Sequence, residues 1–419
     1  KRKIIVFIGL AVSSPTLVFS GPLDDAPSKT QENKSVTSDT KTKSVISVPL
    51  PSEYPIDPLK SDAYPSSKAD KPGIRFGSFM VSPEISVTGM YDDNIYATRS
   101  REVEDFITSI TPAVSIKSDW EKHSLNFWAG LSGDMYHSNS NENVVDHWVE
   151  TEGRYDISNK TNVYAGIGLS RYHEDRTTLD APNRTFEAGE RTRYWQTNGH
   201  LGAFHQFDDV SVRLGTTYEH LNFDNVPTFG GGIINMNDRD RKQYSAGGRV
   251  SYKVSPKYVA FAQAATDNRR YDQSGVGRDS DGYSVAAGMG VDFGGNNRAE
   301  AYIGHMKQNY KNSGLTDVSK PYFGAEAKFA TGPNTYVSAN LSRDLDETVI
   351  TGASSSLDTT IWGRVDHDVS QNLSLNGRLS YTRSKYQGID RNENYLGAGF
   401  GAKYFIAKDF YLAGDYQLL

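Results

Sequence analysis

The chain has 419 residues, with 45 Lys and Arg against 51 Asp and Glu, for a net charge of -6. A charge this small and this spread out argues against a nucleic-acid binder. There is no cysteine, which removes disulfides, thiolate catalysis, Cys-ligated metals and lipid attachment through Cys. Mean hydropathy is -0.58, and past the N-terminus no run approaches the ~18 apolar residues of a membrane-spanning helix. A transmembrane barrel stays open, because its strands alternate apolar and polar residues and average to a soluble-looking value. The 25 Tyr, 18 Phe and 38 Gly suit a β-rich chain with many turns and an aromatic girdle.

In chain order, residues 1–20 read as a secretory signal. Lys1, Arg2 and Lys3 are basic, Ile4 to Val12 are apolar, and Val18 and Ser20 are small enough for cleavage after Ser20. Residues 21–75 hold Pro, Ser, Lys, Thr and Asp with few large apolar groups. Such a segment buries too little surface to fold alone, and is expected to be a disordered periplasmic spacer. The remainder, 76–419, is one long series of alternating segments.

The alternation predicts strands near 78–91, 103–117, 124–138, 144–157, 161–174, 192–206, 210–223, 240–254, 257–271, 281–293, 298–311, 320–330, 334–345, 357–369, 372–386, 393–406 and 409–419. In NVYAGIGLS, Val163, Ala165, Ile167 and Leu169 share one parity. In NLSLNGRLSYTRSKY, Leu373, Leu375, Leu379 and Tyr381 oppose Ser374, Asn376, Arg378 and Ser380. A period of two means a strand with two chemically different faces.

Connections come in two alternating kinds. SNK, FDD, SPK, GGNN, TGPN, SQN and AKD are tight and rich in turn residues. Others are long and polar, as in HEDRTTLDAPNRTFEAGERTR and NFDNVPTFGGGIINMNDRDRK. Short turns on one rim and long loops on the other form the outer-membrane barrel pattern. Tyr91, Tyr136, Tyr172, Tyr218, Tyr271, Tyr310 and Tyr386 fall near strand ends, as a girdle would. A hairpin unit recurs every ~40 to 50 residues. The fold expected is an all-β, antiparallel up-and-down transmembrane barrel. The 17 predicted strands are odd in number, and a closed antiparallel barrel needs an even one. An eighteenth strand is therefore expected beyond Leu419.

Several stretches also carry a resemblance. YDDNIYAT, SDWEKHSLNF, NDRDRKQYSAG, GRDSDGYSVAAG, RVDHDVSQNLSL and YQGIDRNENYLGAGFGAKY, in this order, resemble the outer-membrane family called putative β-barrel porin type two. The resemblance spans residues 76–419. It implies a Gram-negative barrel porin, often one part of an exopolysaccharide or capsule secretion system. It also implies a last strand ending in Phe, which this sequence does not have.

If the apolar parity faces lipid, the other parity lines a lumen. That set contains Asp134, Glu150, Glu152, Arg213, Arg249, Glu300, Glu326, Lys328, Arg364, Asp366, Arg378 and Lys403. Mixed signs suit a neutral or weakly selective pore; the same charges would equally serve by pairing across the lumen to stabilise the wall. Trp128, Tyr302, Tyr336 and Trp362 share the polar parity and would offer flat faces to a sugar, or simply pack. RDSDGY at 278–283 lacks the further ligands of a calcium loop and reads as a turn. Ser170 and His173 are three apart, on opposite faces of a strand, which disfavours a hydrolase pair. His205, His220, His305 and His367 sit near strand ends. Neither a catalytic nor a metal site is expected, nor any cofactor. The expected function is an outer-membrane channel exporting exopolysaccharide or capsular polysaccharide. A passive porin for small solutes, a barrel hydrolase and an adhesion barrel are the alternatives. Expected partners are outer-membrane lipid and lipopolysaccharide, the barrel-assembly machinery, a periplasmic polysaccharide-export protein, and the polysaccharide or solute itself.

Overall fold

The computed structural model describes residues 3–12, 74–98, 100–174, 176, 188–295, 297–348, 350–407 and 410–418. The expected spacer lies outside the described residues, apart from its last two positions. The strands are β1 (Lys3–Val12), β2 (Ile74–Phe76), β3 (Phe79–Asp92), β4 (Asp105–Ser118), β5 (Ser124–Tyr136), β6 (Val144–Ser158) and β7 (Thr161–His173). Next come β8 (Arg193–Gln206), β9 (Val210–Phe223), β10 (Val226–Pro227), β11 (Ile233–Ile234), β12 (Arg241–Lys253), β13 (Tyr258–Tyr271) and β14 (Ser280–Gly294). The series ends with β15 (Asn297–Tyr310), β16 (Val318–Gly332), β17 (Thr335–Asp346), β18 (Ser355–Asp368), β19 (Leu373–Gln387), β20 (Asn392–Ala407) and β21 (Phe410–Leu418).

Strands β3 to β9 pair antiparallel in sequence, β9 passes to β12, and β12 to β21 continue the same way. β1 then pairs antiparallel with both β21 and β3. Eighteen strands thus form a ring in which each has two neighbours. The short β2 hairpins onto the start of β3 through Gly77, whose φ of 60° lies in the left-handed region. β10 and β11 form a small hairpin within the β9–β12 loop.

Seventeen ring strands match those read from the alternation. The eighteenth place, expected for a strand beyond Leu419, is held by Lys3–Val12, which falls inside the expected export signal. The physical reason is the pair of edges. Unpaired N–H and C=O groups along β3 and β21 cannot stay open in lipid. The backbone of Lys3–Val12 closes that gap, and its sequence carries no charge from Ile4 to Val12.

The two rims differ as the sequence implied. β6–β7, β8–β9, β14–β15 and β16–β17 are joined by tight turns, and β3–β4, β7–β8 and β9–β12 by long loops. Side-chain exposure fixes which face looks where. Ile303 is 70 % exposed, Leu396 67 % and Leu379 64 %, and these lie on the outward parity. An apolar outer band is the face that lipid requires. In β19, Leu379 faces out while its neighbour Arg378 turns inward to Asp415 on β21 at 2.7 Å.

One expectation is corrected. Of the seven strand-end tyrosines, Tyr136, Tyr172, Tyr271, Tyr310 and Tyr386 are buried on the inward parity, and only Tyr91 and Tyr218 look outward. The outward aromatics near the loop rim are instead Phe106, Tyr244, Tyr283 and Tyr381; toward the turn rim they are Tyr155, Phe207, Tyr252, Phe293 and Tyr404. The five inward tyrosines share parity with polar lumen residues. They pack beneath loops that fold inward, so they help anchor a cap rather than the membrane interface.

Candidate channel lumen

The inner face is built by alternation, and its registers bring the sequence candidates into rows. Arg249 of β12 reaches across β13 and β14 to Glu300 of β15, with two bonds of 2.8 and 2.7 Å. On the way its guanidinium lies 3.5 Å from the centroid of Phe261. Glu326 and Lys328 pair at 3.0 Å along β16, and Arg364 pairs with Asp366 at 2.6 Å along β18. Arg378 spans β20 to Asp415. Lys403 stacks 3.9 Å from the Tyr411 centroid, and Arg213 lies over Phe204 at 5.2 Å. Asp134 accepts a bond from Ser109 on β4. Glu150 and Glu152 share the inward parity of β6 with Trp148 and Arg154. Arg249 and Glu300, Lys328 and Glu326, Arg364 and Asp366, and Arg378 and Asp415 thus form ion pairs along the wall with near neighbours. An ion pair held flat over an aromatic ring keeps its geometry and adds little net field.

Glycines make that flat arrangement fit. Each of several large inward side chains lies over a glycine of an adjoining strand. A Cβ at Gly202 would fall 2.3 Å from Tyr164, one at Gly130 2.3 Å from Trp148, one at Gly166 2.4 Å from His200, and one at Gly399 2.8 Å from Arg378. Tyr302 covers Gly324 in the same way, and its hydroxyl meets that of Tyr322 at 3.3 Å. The wall is lined, and its side chains lie down.

Sequence reasoning missed the loops, which fold into the mouth. The β17–β18 loop crosses the inner face of β13 to β16. There Glu347 accepts from Arg269 and, at 2.5 Å, from the Tyr271 hydroxyl. Arg269 also binds Asp267 at 2.6 Å and the Leu345 carbonyl at 3.2 Å. Gln243 donates to Asp267 at 2.6 Å. Leu345 and Leu357 pack with Met306, Tyr310, Val318 and Tyr322 beneath this bolt. Burial acts to raise the Glu347 carboxyl, but Arg269, Arg241 and the Tyr271 hydrogen bond outweigh it and hold the group below its ordinary range.

A second bolt stands on the opposite arc. Glu142 accepts from Arg176 at 2.6 Å and from Arg191 at 3.0 Å. Arg191 reaches His173 at 3.1 Å, and His173 meets Asp146 at 2.9 Å. Nearby, Arg239 of the β9–β12 loop holds Glu174 at 2.8 Å. Tyr172, Tyr194, Leu221, Phe223, Val226 and Met236 pack under these loops. His173 is thus part of a buried ion network at the strand end, which the opposite-face argument did not anticipate. Ser170 lies on β7 opposite Trp148.

His205, His220, His305 and His367 take simple roles on the outer parity. His205 bonds Thr161 at 2.7 Å, His367 bonds Thr335 at 2.8 Å, His305 bonds Ser319 at 3.0 Å and His220 bonds Asp272 at 3.2 Å. In the 278–283 stretch, Asp279 accepts from the Tyr271 backbone at 2.9 Å and closes the turn.

Among the described residues, the two bolted caps leave an arc of the inner wall across β16 to β20 uncovered. Across β16 to β20 the registers align Glu326, Asn340, Trp362, Ser380 and Gly397 in one row. The next row is Gly324, Ser342, Thr360, Thr382 and Tyr395, and the row on the other side is Lys328, Ser338, Arg364, Arg378 and Gly399. Trp362 keeps 36 % of its surface exposed there, and Ser380 is exposed beside it. The remaining aromatic candidates are less open. Tyr302 packs on Tyr322, Trp128 stands between Ser115 and Glu150, and Tyr336 sits at the turn rim with its hydroxyl 3.4 Å from the Pro333 carbonyl.

Several solved structures are similar to this chain. They include the copper transporter OprC, at 10% identity and TM-score 0.46, covering 81% of this chain and 64% of that one. The alcaligin receptor FauA from Bordetella pertussis shares 10% identity at TM-score 0.43, covering 83% and 66%. The ferric-catecholate import receptor Fiu from E. coli K12 shares 9% at TM-score 0.44, covering 83% and 78%. The chain spans about two thirds of the length of the first two. No curated protein matches it. A family model described as putative beta-barrel porin 2 matches residues 68–419, and the chain belongs to that family.

Proposed function

We propose that this barrel passes a hydrophilic polymer, an exopolysaccharide or capsular polysaccharide, outward through the Gram-negative outer membrane. The observation that carries the reading is the uncovered arc across β16 to β20. Its rows of hydroxyl, amide and internally paired charged groups lie between two capped arcs. Such a surface offers a sliding chain many weak, exchangeable hydrogen bonds and no strong fixed charge to trap it. A periplasmic export component would meet the turn rim, after export of the chain and insertion by the assembly machinery into lipid and lipopolysaccharide. The barrel itself supplies a path, in line with a non-enzymatic channel.

Passive diffusion of small solutes is the second reading, favoured by the same paired, weakly selective charges. Gene deletion separates the two. Export predicts loss of surface polysaccharide with small-solute uptake intact. Normal polysaccharide with slowed solute uptake would overturn export and leave the diffusion pore.

A further inference from the structure

The uncovered arc is centred on one residue, and the geometry points to a glycan-stacking subsite at Trp362. This rests on the export reading for its polymer, but its chemistry stands on the wall itself. Trp362 lies near the middle of β18, with Asn340 and Ser380 directly opposite on the two flanking strands. Neighbouring strands lie ~4.8 Å apart, and alternate residues of one strand about 6.8 Å apart. Asn340 and Ser380 therefore flank the indole at one strand spacing, with Thr360 and Arg364 at one alternation step along β18. Thr360 and Thr382 bond each other at 3.0 Å, leaving oxygens that can still accept.

An aromatic face ringed by short polar groups matches a pyranose ring. The sugar's C–H face loses water against the indole, while its rim hydroxyls exchange bonds with hydroxyl and amide side chains. The adjoining charges are already neutralised, Arg364 by Asp366 and Lys328 by Glu326. That balance selects a neutral or weakly charged chain. Gly397 ends the row without a side chain, so the strip stays open on its β20 side. Most inward aromatics lie under a loop or over a glycine. Trp362 instead meets the lumen with over a third of its surface exposed.

The test is calorimetric titration of the folded full chain, in a detergent without sugar headgroups, with cellohexaose, maltohexaose and xylohexaose. Folding is checked by heat-modifiable migration. At least one hexaose is expected to bind saturably. Trp362→Ala should weaken it about tenfold and Trp362→Phe about threefold or less, since tenfold corresponds to ~1.4 kcal/mol, a stacking-sized loss. Trp195→Phe, on the outer face, should leave affinity unchanged. Absence of saturable binding at tens of millimolar, or binding indifferent to Trp362→Ala in a folded sample, overturns the subsite. The deletion phenotype reads separately. Trp362-dependent binding with normal surface polysaccharide would keep the subsite and turn its occupant into an imported oligosaccharide. Lost polysaccharide without binding would keep export and reject the subsite.

Discussion

Glu347→Ala removes the carboxylate that bolts the β17–β18 loop to the inner wall. Taking one partner from a buried ion pair costs about 3–5 kcal/mol when the other charge is left alone. Arg269 is not left alone, because Asp267 still holds its Nε at 2.6 Å. What is lost is one charge-assisted bond and the Tyr271 hydroxyl contact, together about 2 kcal/mol after resolvation. Since 1.4 kcal/mol is tenfold, the loop's open population should rise about 30-fold. The ring strands should be untouched, since no ladder bond involves Glu347. Hydrogen exchange of the 350–354 amides, compared with amides in β13, reads the change directly. Single-channel conductance in planar bilayers should rise with it. Glu347→Gln, which can still bond Tyr271, should fall between. Less than twofold faster loop exchange in the alanine variant would refute the bolt.

Three further outcomes follow from the same geometry. Leu379→Arg puts a charge in the lipid band and should cost about 2–4 kcal/mol of barrel stability. Ser380→Arg, the next residue but facing the lumen, should fold normally; urea midpoints of the refolded barrels compare them. Gly202→Ala brings a Cβ to 2.3 Å from Tyr164 and should destabilise by ~1–3 kcal/mol. Tyr164→Leu should relieve most of that loss in the double variant, again read by midpoints. The folded-state value of Glu347 is depressed from 4.5. Its contribution is therefore present above pH 4.5 and lost as pH falls through the lower folded value. Acidification below pH 4.5 should accordingly speed exchange in the 350–354 loop, and the Glu347→Ala variant should not show this step.

How much the sequence tells depends on whether a feature is periodic. Leu379 out and Arg378 in is a statement about parity, and parity survives any error in strand ends. The same logic identifies Asp134, Glu300 and Lys403 as inward, because each sits between apolar neighbours. It would also have sorted the tyrosines. Tyr136 shares parity with Asp134, and Tyr386 with Arg378, so position near a strand end outweighed a signal that was present. The bolts left no such trace. Glu347 and Arg269 are 78 residues apart, and nothing periodic links a loop carboxylate to a strand guanidinium. A faint sign was the charge pair Asp267 and Arg269 on the inward parity of Phe261, too polar for a packed wall unless something covered it. The place of Lys3–Val12 in the ring was hidden for a different reason. An apolar run nine residues long reads equally as a signal core or as a strand that must satisfy two open edges.

The side chains that lie down over Gly130, Gly166, Gly202, Gly324 and Gly399 have a consequence for the bore. In most closed barrels width is set by strand number and shear, quantities that change only by adding or losing whole hairpins. Here the inner radius also depends on whether each bulky residue reclines or stands. Replacing one recess with a larger residue would tip its neighbour upright and narrow the passage at that height alone. The lining behaves as a set of independent shims, so the aperture can be graded in steps of one side chain while the hydrogen-bonded ring keeps its circumference.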